Sequence, residues 1–383
     1  MTWWQIANCE IRSIIDKRPK LLLSMFVIPI FYLLLFGNLF SGNSIDHIPL
    51  VICDESQTYL SRQLTQRFED SDRFSLVAYV DSEEELEAYL YNKKAMVGIG
   101  IPQNFNRDVK TGVSSQVLID VDGTNLMATN IAMIAAEEVL ESFSKQVAVK
   151  LLENQSGVLP QAAIHKIAPV ELKTRLLHNP TLDYQLFFLF GLLMTSFQMS
   201  LFIPNAISML IEYKSGQYLS CKPFHVVLGK ILPFFFTGTC AYGVLLTIEV
   251  HVFHLPAKGN FFELLLLGSG FVFAMTALSS LIISLFNNLL VFYRMAIASS
   301  VPIFILSGFT WPLRAMPFLI QKIAALLPFT YLGDNLRSLM LAGKAPHLYQ
   351  DIVILFTYGT FMLGLSIYRY KKIRIAKQVK TPM

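Results

Sequence analysis

"SGFTWPLRAMP", residues Ser307 to Pro317, decides how many times this chain crosses a membrane. One apolar run, Phe292–Leu306, precedes it, and another, Phe318–Leu332, follows it. Within hydrocarbon, a broken backbone is tolerated only where it is buried in protein or close to water. Tryptophan favours the headgroup level, and prolines end helices. The stretch therefore predicts either a break in the helix near the membrane surface or a seventh span.

We favour the break. The second apolar run is interrupted by Pro328 and soon followed by Asp334 and Arg337, so it is too short for a span. A seventh span would also place the basic C-terminal tail outside, against the loop-charge rule. We expect two short helices in residues 307–347 that dip back into the outer leaflet. The residues expected to form this re-entrant cap are Ser307, Gly308, Trp311, Pro312, Pro317, Pro328 and Arg337.

The composition indicates a lipid environment for most of the chain. Of 383 residues, 54% are hydrophobic and 15% are charged, and the mean hydropathy is +0.49. Soluble globular proteins carry about 25% charged residues. Residues 41–181 hold 12 Lys or Arg and 19 Asp or Glu, against 19 and 8 in the remainder. We predict one acidic, water-soluble segment in an apolar chain whose basic ends meet the lipid bilayer rather than nucleic acid.

The fold class is therefore an α-helical membrane protein with an inserted α/β domain. A membrane span takes about 20 helical residues. The first apolar run lacks charge, and its full length and long basic lead favour a retained span over a cleaved signal peptide. The six predicted transmembrane helices are Leu21–Phe40, Leu186–Ile211, Ile231–Phe253, Phe262–Phe286, Phe292–Leu306 and Leu348–Tyr368.

The soluble segments lie before, between and after these spans. Residues 1–20 mix tryptophans, isoleucines and basic residues, which is typical of an interfacial amphipathic helix, with a plain cytosolic tail as the alternative. Residues 41–181 alternate strand-like and helix-like stretches in the order βαβαββα, which predicts a partly parallel sheet. Residues 182–368 contain spans two to six, and residues 369–383 form a basic tail.

Loop charge predicts the orientation. With the N-terminus inside, the inner segments hold 14 Lys or Arg and the short outer loops hold 5. Cytoplasmic loops carry the excess of basic residues in multi-pass proteins. We therefore expect both termini in the cytoplasm and residues 41–181 outside the cytoplasmic (inner) membrane.

The loop between spans two and three, residues 212–230, is longer than a simple connection requires. Gly216 allows a sharp turn, Pro223 can begin the next element, and residues 217–220 could form a short helix parallel to the membrane. Such a helix can transmit force from a cytosolic partner. An ordinary connecting loop is an equally good interpretation of the residues alone.

Sequence patterns for chemistry are missing. "LGKILP" (228–233) and "AGKAP" (342–346) lack the other residues of a phosphate-binding P-loop, so the chain carries no ATPase motif of its own. Glu249, His251 and His254 form a weak metal-binding pattern, and we favour anchoring at the outer interface, with no metal. Gln198, Asn205 and Arg294 are polar positions that line a translocation path or, alternatively, bond between helices.

Taken in order, several motifs resemble the ABC-2 type of ATP-binding-cassette transporter permeases, in the subgroup with a large domain between spans one and two. They are "IPLVICDESQTYLSRQL" (48–64), "IGIPQNFNRDVKTG" (99–112) and "LSGFTWPLRAMPFLIQKIAALLPFTYLGDNLRSLMLAG" (306–343). The resemblance covers nearly the whole chain.

The resemblance implies six spans with re-entrant helices between spans five and six. It implies a complex of two permease subunits, identical or similar, with two ATPase subunits that bind ATP and Mg²⁺, so that this chain binds no cofactor. It also implies that the loop after span two is the coupling element seated on the ATPase. The residues assigned to that coupling are Glu212, Lys214, Gly216 and Pro223.

Our interpretation is the membrane subunit of an ATP-driven exporter of a drug, lipid or other amphiphile, with a periplasmic adaptor as a further partner of the outer domain. The rival is a membrane-anchored sensor or scaffold with residues 41–181 as its ligand-binding part. An intramembrane enzyme ranks below both because no catalytic pattern is present.

Overall fold

The computed structural model describes residues 1–40, 46–111, 113–156, 177–180, 183–286 and 288–380. The chain divides into two compact units. One unit comprises Met1–Asn43 together with Leu177–Met383, and the other comprises Ser44–Leu176.

The first unit is helical. It begins with α1 (Trp3–Lys17) and α2 (Pro19–Leu39) and continues, numbered in chain order, with α7 to α13. These later helices are α7 (Tyr184–Ser215), α8 (Pro223–His251), α9 (Phe261–Ile283), α10 (Leu289–Leu306), α11 (Phe318–Ala324), α12 (Pro328–Ala342) and α13 (Leu348–Lys380).

Six helices among the described residues are long and apolar enough to cross a membrane. They are α2, α7, α8, α9, α10 and α13, which confirms the six spans predicted from the apolar runs. The innermost is α9, whose spanning window is 67% buried, whereas that of α10 is only 17% buried. Lipid or another protein surface is therefore needed to cover most of α10.

The break after α10 has a local cause. Gly308 has a φ of 87°, a left-handed conformation that favours glycine, and the helix does not continue beyond it. The Ser307 hydroxyl donates to the Phe304 carbonyl at 2.7 Å and accepts from the Phe309 backbone N–H at 3.3 Å. A 3₁₀ turn (Leu313–Ala315) then leads to α11 and α12. Two short helices thus occupy the place of the alternative seventh span, and their entry into the outer leaflet stays a prediction.

The Ser44–Leu176 unit contains a four-stranded sheet. Its strands are β1 (Ile48–Asp54), β2 (Phe74–Val80), β3 (Val97–Ile101) and β4 (Leu118–Val121), in the spatial order β2-β1-β3-β4. β1 is parallel to β2 and β3, and β4 is antiparallel to β3. Since β1 is paired on both edges, Leu50, Val51 and Ile52 are all fully buried. The sheet confirms the partly parallel arrangement predicted from the sequence.

Helices α3 (Tyr59–Glu69), α4 (Glu83–Tyr91), α5 (Phe105–Thr111) and α6 (Leu126–Ser156) complete this unit. The predicted order βαβαββα is wrong at one element, because α5 lies between β3 and β4. Seven residues are two turns of helix, too few for the apolar periodicity that reveals a helix in sequence. Phe105 begins α5, is buried, and stacks on Phe143 of α6 at 6.2 Å between ring centroids.

Candidate coupling site

The segment between the second and third spans is a compact turn of residues 216–222. Gly216 has a φ of 65° and ends α7, with its N–H donating to the Glu212 carbonyl at 2.8 Å. Leu219 N–H then donates to the Gly216 carbonyl at 3.3 Å, and Cys221 N–H donates to that of Tyr218 at 2.9 Å. Pro223 occupies the first turn of α8, where proline is favoured. Of the two interpretations left open for residues 217–220, a short helix or an ordinary connection, the structure shows consecutive turns and no helix.

Glu212 lies beneath this turn and is 1% exposed. Its Oε1 accepts hydrogen bonds from the Tyr218 backbone N–H at 3.0 Å and from the Tyr370 hydroxyl at 2.8 Å. A carboxylate with two donors at this range strongly orients the groups that it binds. The side chain that the sequence assigned to coupling thus holds the turn from inside and is not on its surface.

The outer face of the turn is polar. Lys214, Gln217, Ser220 and Lys222 are exposed, and Phe224 at the start of α8 is 47% exposed. Of the four predicted coupling residues, Lys214 alone presents an exposed side chain, whereas Gly216 and Pro223 set the backbone. A partner that contacts this face would meet basic and neutral polar groups with one aromatic ring.

Tyr218 connects the turn to a second buried cluster. It is 5% exposed, and burial together with nearby acidic groups raises the pKa of its hydroxyl to about 12. The Lys230 ammonium lies 5.9 Å from the centre of its ring. A cation at this distance is attracted to the face of an aromatic ring. The turn is thereby joined to a cation near the N-terminal end of α8.

That cation forms a buried ion pair with the N-terminal helix. Lys230 Nζ lies 2.7 Å from Glu10 Oε2, and the two side chains are 3% and 5% exposed. Ser208 of α7 completes the cluster, because its hydroxyl donates to Glu10 Oε1 at 2.5 Å. Helices α1, α7 and α8 therefore share one polar centre in an otherwise apolar region.

Close backbone packing supports the same junction. A Cβ at Gly229 would lie 2.7 Å from the Trp3 carbonyl oxygen and 2.9 Å from Ile6 Cβ, so only glycine fits there. At the start of α1, the Met1 carbonyl lies 3.1 Å from His225 Nδ1. The N-terminal helix is thus packed directly on the beginning of α8.

The predicted cap residues surround the break after α10. Ser307 is buried, Gly308 makes the turn, and Trp311, Pro312 and Pro317 are exposed. Arg337 of α12 donates to the Phe309 carbonyl at 3.0 Å, and its guanidinium lies 4.8 Å from the centre of the Phe309 ring.

Pro328 is buried at the first turn of α12. In the next turns, Thr330 and Tyr331 donate through their hydroxyls to the Ala324 and Ala325 carbonyls at 2.7 and 2.8 Å. These bonds satisfy carbonyls at the C-terminal end of α11 that lack a partner within that helix.

The three predicted path residues do not come together. Gln198 and Asn205 are 2% and 0% exposed on α7, whereas Arg294 is exposed on α10. Asn205 Nδ2 donates to the Thr276 carbonyl at 2.7 Å and lies 2.9 Å from Ser280 Oγ. These hydrogen bonds join α7 to α9, as the alternative of inter-helix bonding predicted for Asn205. A role for the three residues in translocation stays a prediction.

Comparisons with known proteins add to this geometry. The family model described as "ABC-2 family transporter protein" matches residues 19–368. The chain belongs to this family. The ABC-2 match includes five of the spanning helices in full, α13 as far as residue 368, the loop 216–222 and the inserted unit.

Individual relatives of the ABC-2 chain are distant but cover nearly its full length. A probable multidrug ABC transporter permease, YbhR of Escherichia coli, is 23% identical over 88% of this chain and 89% of its own length. The inner membrane transport permease YhhJ of the same species is 21% identical, over 95% of each chain. The linearmycin resistance permease protein LnrN of Bacillus subtilis is 23% identical over 95% of this chain and 99% of its own.

The weak metal-binding pattern of the ABC-2 chain does not assemble. Glu249 is fully buried, whereas His251 is exposed beyond it at the end of α8. In the described part of the chain, no group of three or more His, Cys, Asp or Glu side chains is placed to hold a metal ion.

Sequence reasoning missed Glu10, Tyr218, Lys230 and Tyr370 as parts of the site. One signal could have found Glu10. In α1, Ile6, Glu10 and Ile14 follow one another at intervals of four residues, which places the charge on the apolar face. A carboxylate on the buried face of an amphipathic helix calls for a cation partner. The sequence offers no way to choose Lys230, because 220 residues separate the two.

Proposed function

We propose that the ABC-2 chain is the membrane-spanning subunit of an exporter driven by a separate ATPase, and that the loop 216–222 receives that ATPase. The observation that carries the proposal is the construction of the loop. Its exposed face is polar. On its inner face, the Tyr218 N–H donates to Glu212 and the Tyr218 ring lies 5.9 Å from the Lys230 ammonium. A loop that only connects two spans has no need of two buried charged groups, which are costly to bury.

The proposed mechanism follows from those contacts. ATP and Mg²⁺ bind on the partner, whose movement displaces the loop. Because Glu212, Tyr218 and Lys230 tie the loop to α7, α8 and α1, these helices move with it. Two permease subunits, identical or similar, would then rock against each other and release the substrate beneath α11 and α12.

The substrate class that we propose is a hydrophobic or amphiphilic compound such as a drug or lipid. Support comes from the relatives whose names refer to multidrug transport and linearmycin resistance. In the proposed orientation both termini are cytoplasmic and residues 41–181 are extracytoplasmic, available to a periplasmic adaptor.

Purification from native-host membranes tests the proposal. The tagged chain, extracted in mild detergent, is expected to bring along a stoichiometric ATPase with Walker motifs, identified by mass spectrometry. Lys214→Glu reverses a charge on the exposed face of the loop and is expected to reduce the recovery of the ATPase. Lys258→Glu is the matched control, because Lys258 is exposed in the segment that joins α8 to α9 at their other ends.

Recovery of a soluble signalling protein without an ATPase would overturn the exporter proposal and favour the sensor or scaffold. Orientation is tested separately with single cysteines at Glu84 and Lys371, both exposed positions, in a chain without its four native cysteines. A membrane-impermeant maleimide applied from outside is expected to label only the cysteine at 84. Labelling of the cysteine at 371 would overturn the proposed orientation.

A further inference from the structure

The last helix is longer than a membrane requires. α13 has 33 residues, which correspond to about 50 Å at 1.5 Å per residue, against roughly 30 Å for the hydrocarbon core. Its final part contains the basic residues that the sequence alone assigned to anionic lipid. Three side chains of this part instead contact the loop 216–222 and the end of α7.

Tyr370, Arg374 and Lys377 follow one another at helical spacing along one face of α13. The Tyr370 hydroxyl donates to Glu212 Oε1 at 2.8 Å. Arg374 Nη1 donates to the Cys221 carbonyl at 3.0 Å, and Lys377 Nζ donates to the Lys214 carbonyl at 3.0 Å. Lys377 therefore holds the last turn of α7, Tyr370 holds the carboxylate beneath the loop, and Arg374 holds the end of the loop.

The chemistry of these contacts suits a clamp. The Lys214 carbonyl belongs to the last turn of α7, where carbonyls lack partners within the helix and attract cations. Bonds from a charged donor are stronger than neutral ones. Tyr370 also packs on Tyr213 of α7, with ring centroids 5.9 Å apart, and both side chains are buried. By contrast, Lys371 and Lys372 on the same turns are exposed.

We propose that the cytoplasmic end of α13 is a clamp on the coupling loop, and that Tyr370, Arg374 and Lys377 are positioning residues that carry ATPase-driven movement into the last span. This inference rests on the proposed function, since it assigns a second transmission route to the same loop. The route through α1 and Lys230 moves α7 and α8, and the route through the clamp moves α13.

The test compares two double variants of the full chain that lose the same charge. Arg374→Met with Lys377→Met removes the loop-facing cations, and Lys371→Met with Lys372→Met removes the exposed ones. Each is purified with its co-isolated ATPase, reconstituted in nanodiscs, and followed by hydrogen–deuterium exchange with ATP and vanadate or without nucleotide. The two readouts are the ATP-dependent differences in residues 216–222 and in residues 343–352, which contain the other end of α13.

In the unaltered complex we expect an ATP-dependent difference in both segments. In the loop-facing double variant we expect the ATP-dependent exchange difference in residues 343–352 to fall at least about fivefold, the factor that corresponds to the lower end of typical coupling free energies. The exchange difference in residues 216–222 is expected to remain. Loss of ATPase binding by this variant alone would also support the clamp, because the docking shape would then depend on α13. The exposed double variant is expected to match the unaltered chain. That result would show that the loss of two positive charges near the lipid headgroups does not by itself change the exchange.

Equal behaviour of the two double variants would overturn the clamp, as would an unaltered complex without an ATP-dependent difference in 343–352. If the loop-facing double variant does not fold, the single variants Tyr370→Phe and Arg374→Lys test the clamp in its place. Tyr370→Phe is expected to reduce the transmitted difference, and Arg374→Lys, which keeps a cationic donor, is expected to retain more of it than Arg374→Met. Failure to recover any ATPase with the unaltered chain would instead overturn the proposed function.

Discussion

Glu10 of the first helix and Lys230 of the third span form a buried ion pair, with 2.7 Å between Oε2 and Nζ. Ser208 of the second span donates to the same carboxylate. Two consecutive spans thus meet, at one charged point, an N-terminal helix whose Glu10 lies 198 residues before Ser208. The pair fixes the position of the N-terminal helix beside the loop that we assign to the ATPase.

Lys230→Met is expected to destabilise the chain by about 3–5 kcal/mol, because it leaves a buried carboxylate without its cation. The double variant Glu10→Met with Lys230→Met should recover most of this loss, since neither charge then remains buried. Chemical denaturation in detergent measures both values. Lys371→Met, an exposed control on α13, should change stability by less than about 0.5 kcal/mol. Equal losses for the single and double variants would contradict an ion pair.

Gly229→Ala is expected to displace α1 from α8, because the added Cβ would meet the Trp3 carbonyl oxygen at 2.7 Å. Overpacking of this kind typically costs about 1–3 kcal/mol. Proteolysis within residues 3–17 of the purified chain should become faster. Gly243→Ala on the same helix is the control, since its nearest neighbour would be Leu265 at 3.7 Å. Similar proteolysis of both variants would show that the close approach at Gly229 is unimportant.

Glu212→Ala is expected to uncouple ATP hydrolysis from transport while leaving expression intact, because the Tyr218 N–H and the Tyr370 hydroxyl lose their acceptor. Glu212→Gln keeps an oxygen at the same position and should retain most of the coupling. Both variants are measured as substrate transport per ATP hydrolysed after reconstitution with the co-purified ATPase. Unchanged transport by Glu212→Ala would remove this residue from the mechanism.

Glu249 in α8 is fully buried, and neither carboxyl oxygen has a hydrogen-bond partner among the described residues. Glu249→Met is expected to raise stability by about 1–3 kcal/mol, because an apolar side chain of similar size needs no such partner. Thermal unfolding in detergent provides the measurement. Glu263→Met is the control, since Glu263 accepts an exposed hydrogen bond from Tyr349. A loss of stability in Glu249→Met would indicate a partner that the single chain lacks.

Asp54 at the end of β1 organises the start of α3 in the inserted unit. It accepts from the Ser61 hydroxyl at 2.7 Å and from the Ser56 and Gln57 N–H groups at 3.1 and 3.0 Å. Asp54→Ala should cost about 1–3 kcal/mol, because it leaves these donors unpaired. Hydrogen exchange should accelerate in residues 46–111 and stay unchanged in residues 183–286. Glu87→Ala, an exposed change in α4, should leave both regions unchanged.

Most of the helical fold could be predicted because its signals are local. Each span is an uninterrupted apolar run, and Gly216 and Pro223 mark the end of one helix and the start of the next through their own backbone preferences. The hydrogen bond from Ser61 to Asp54 is also local, because the two residues are seven apart in sequence. By contrast, α5 is too short to show a period, and residues 217–220 form turns although their composition allowed a helix.

The sequence by itself determined the six spans, the partly parallel sheet and the break near Gly308, because hydrophobic length, strand patterning and glycine conformations act over a few residues. Only the tertiary structure decided which charged groups meet. Glu10 pairs with Lys230, 220 residues away in sequence, and the Tyr370 hydroxyl donates to Glu212, 158 residues away. The chain order of such groups leaves many pairings open, and the packing of the helices selects one by bringing donor and acceptor together out of contact with water.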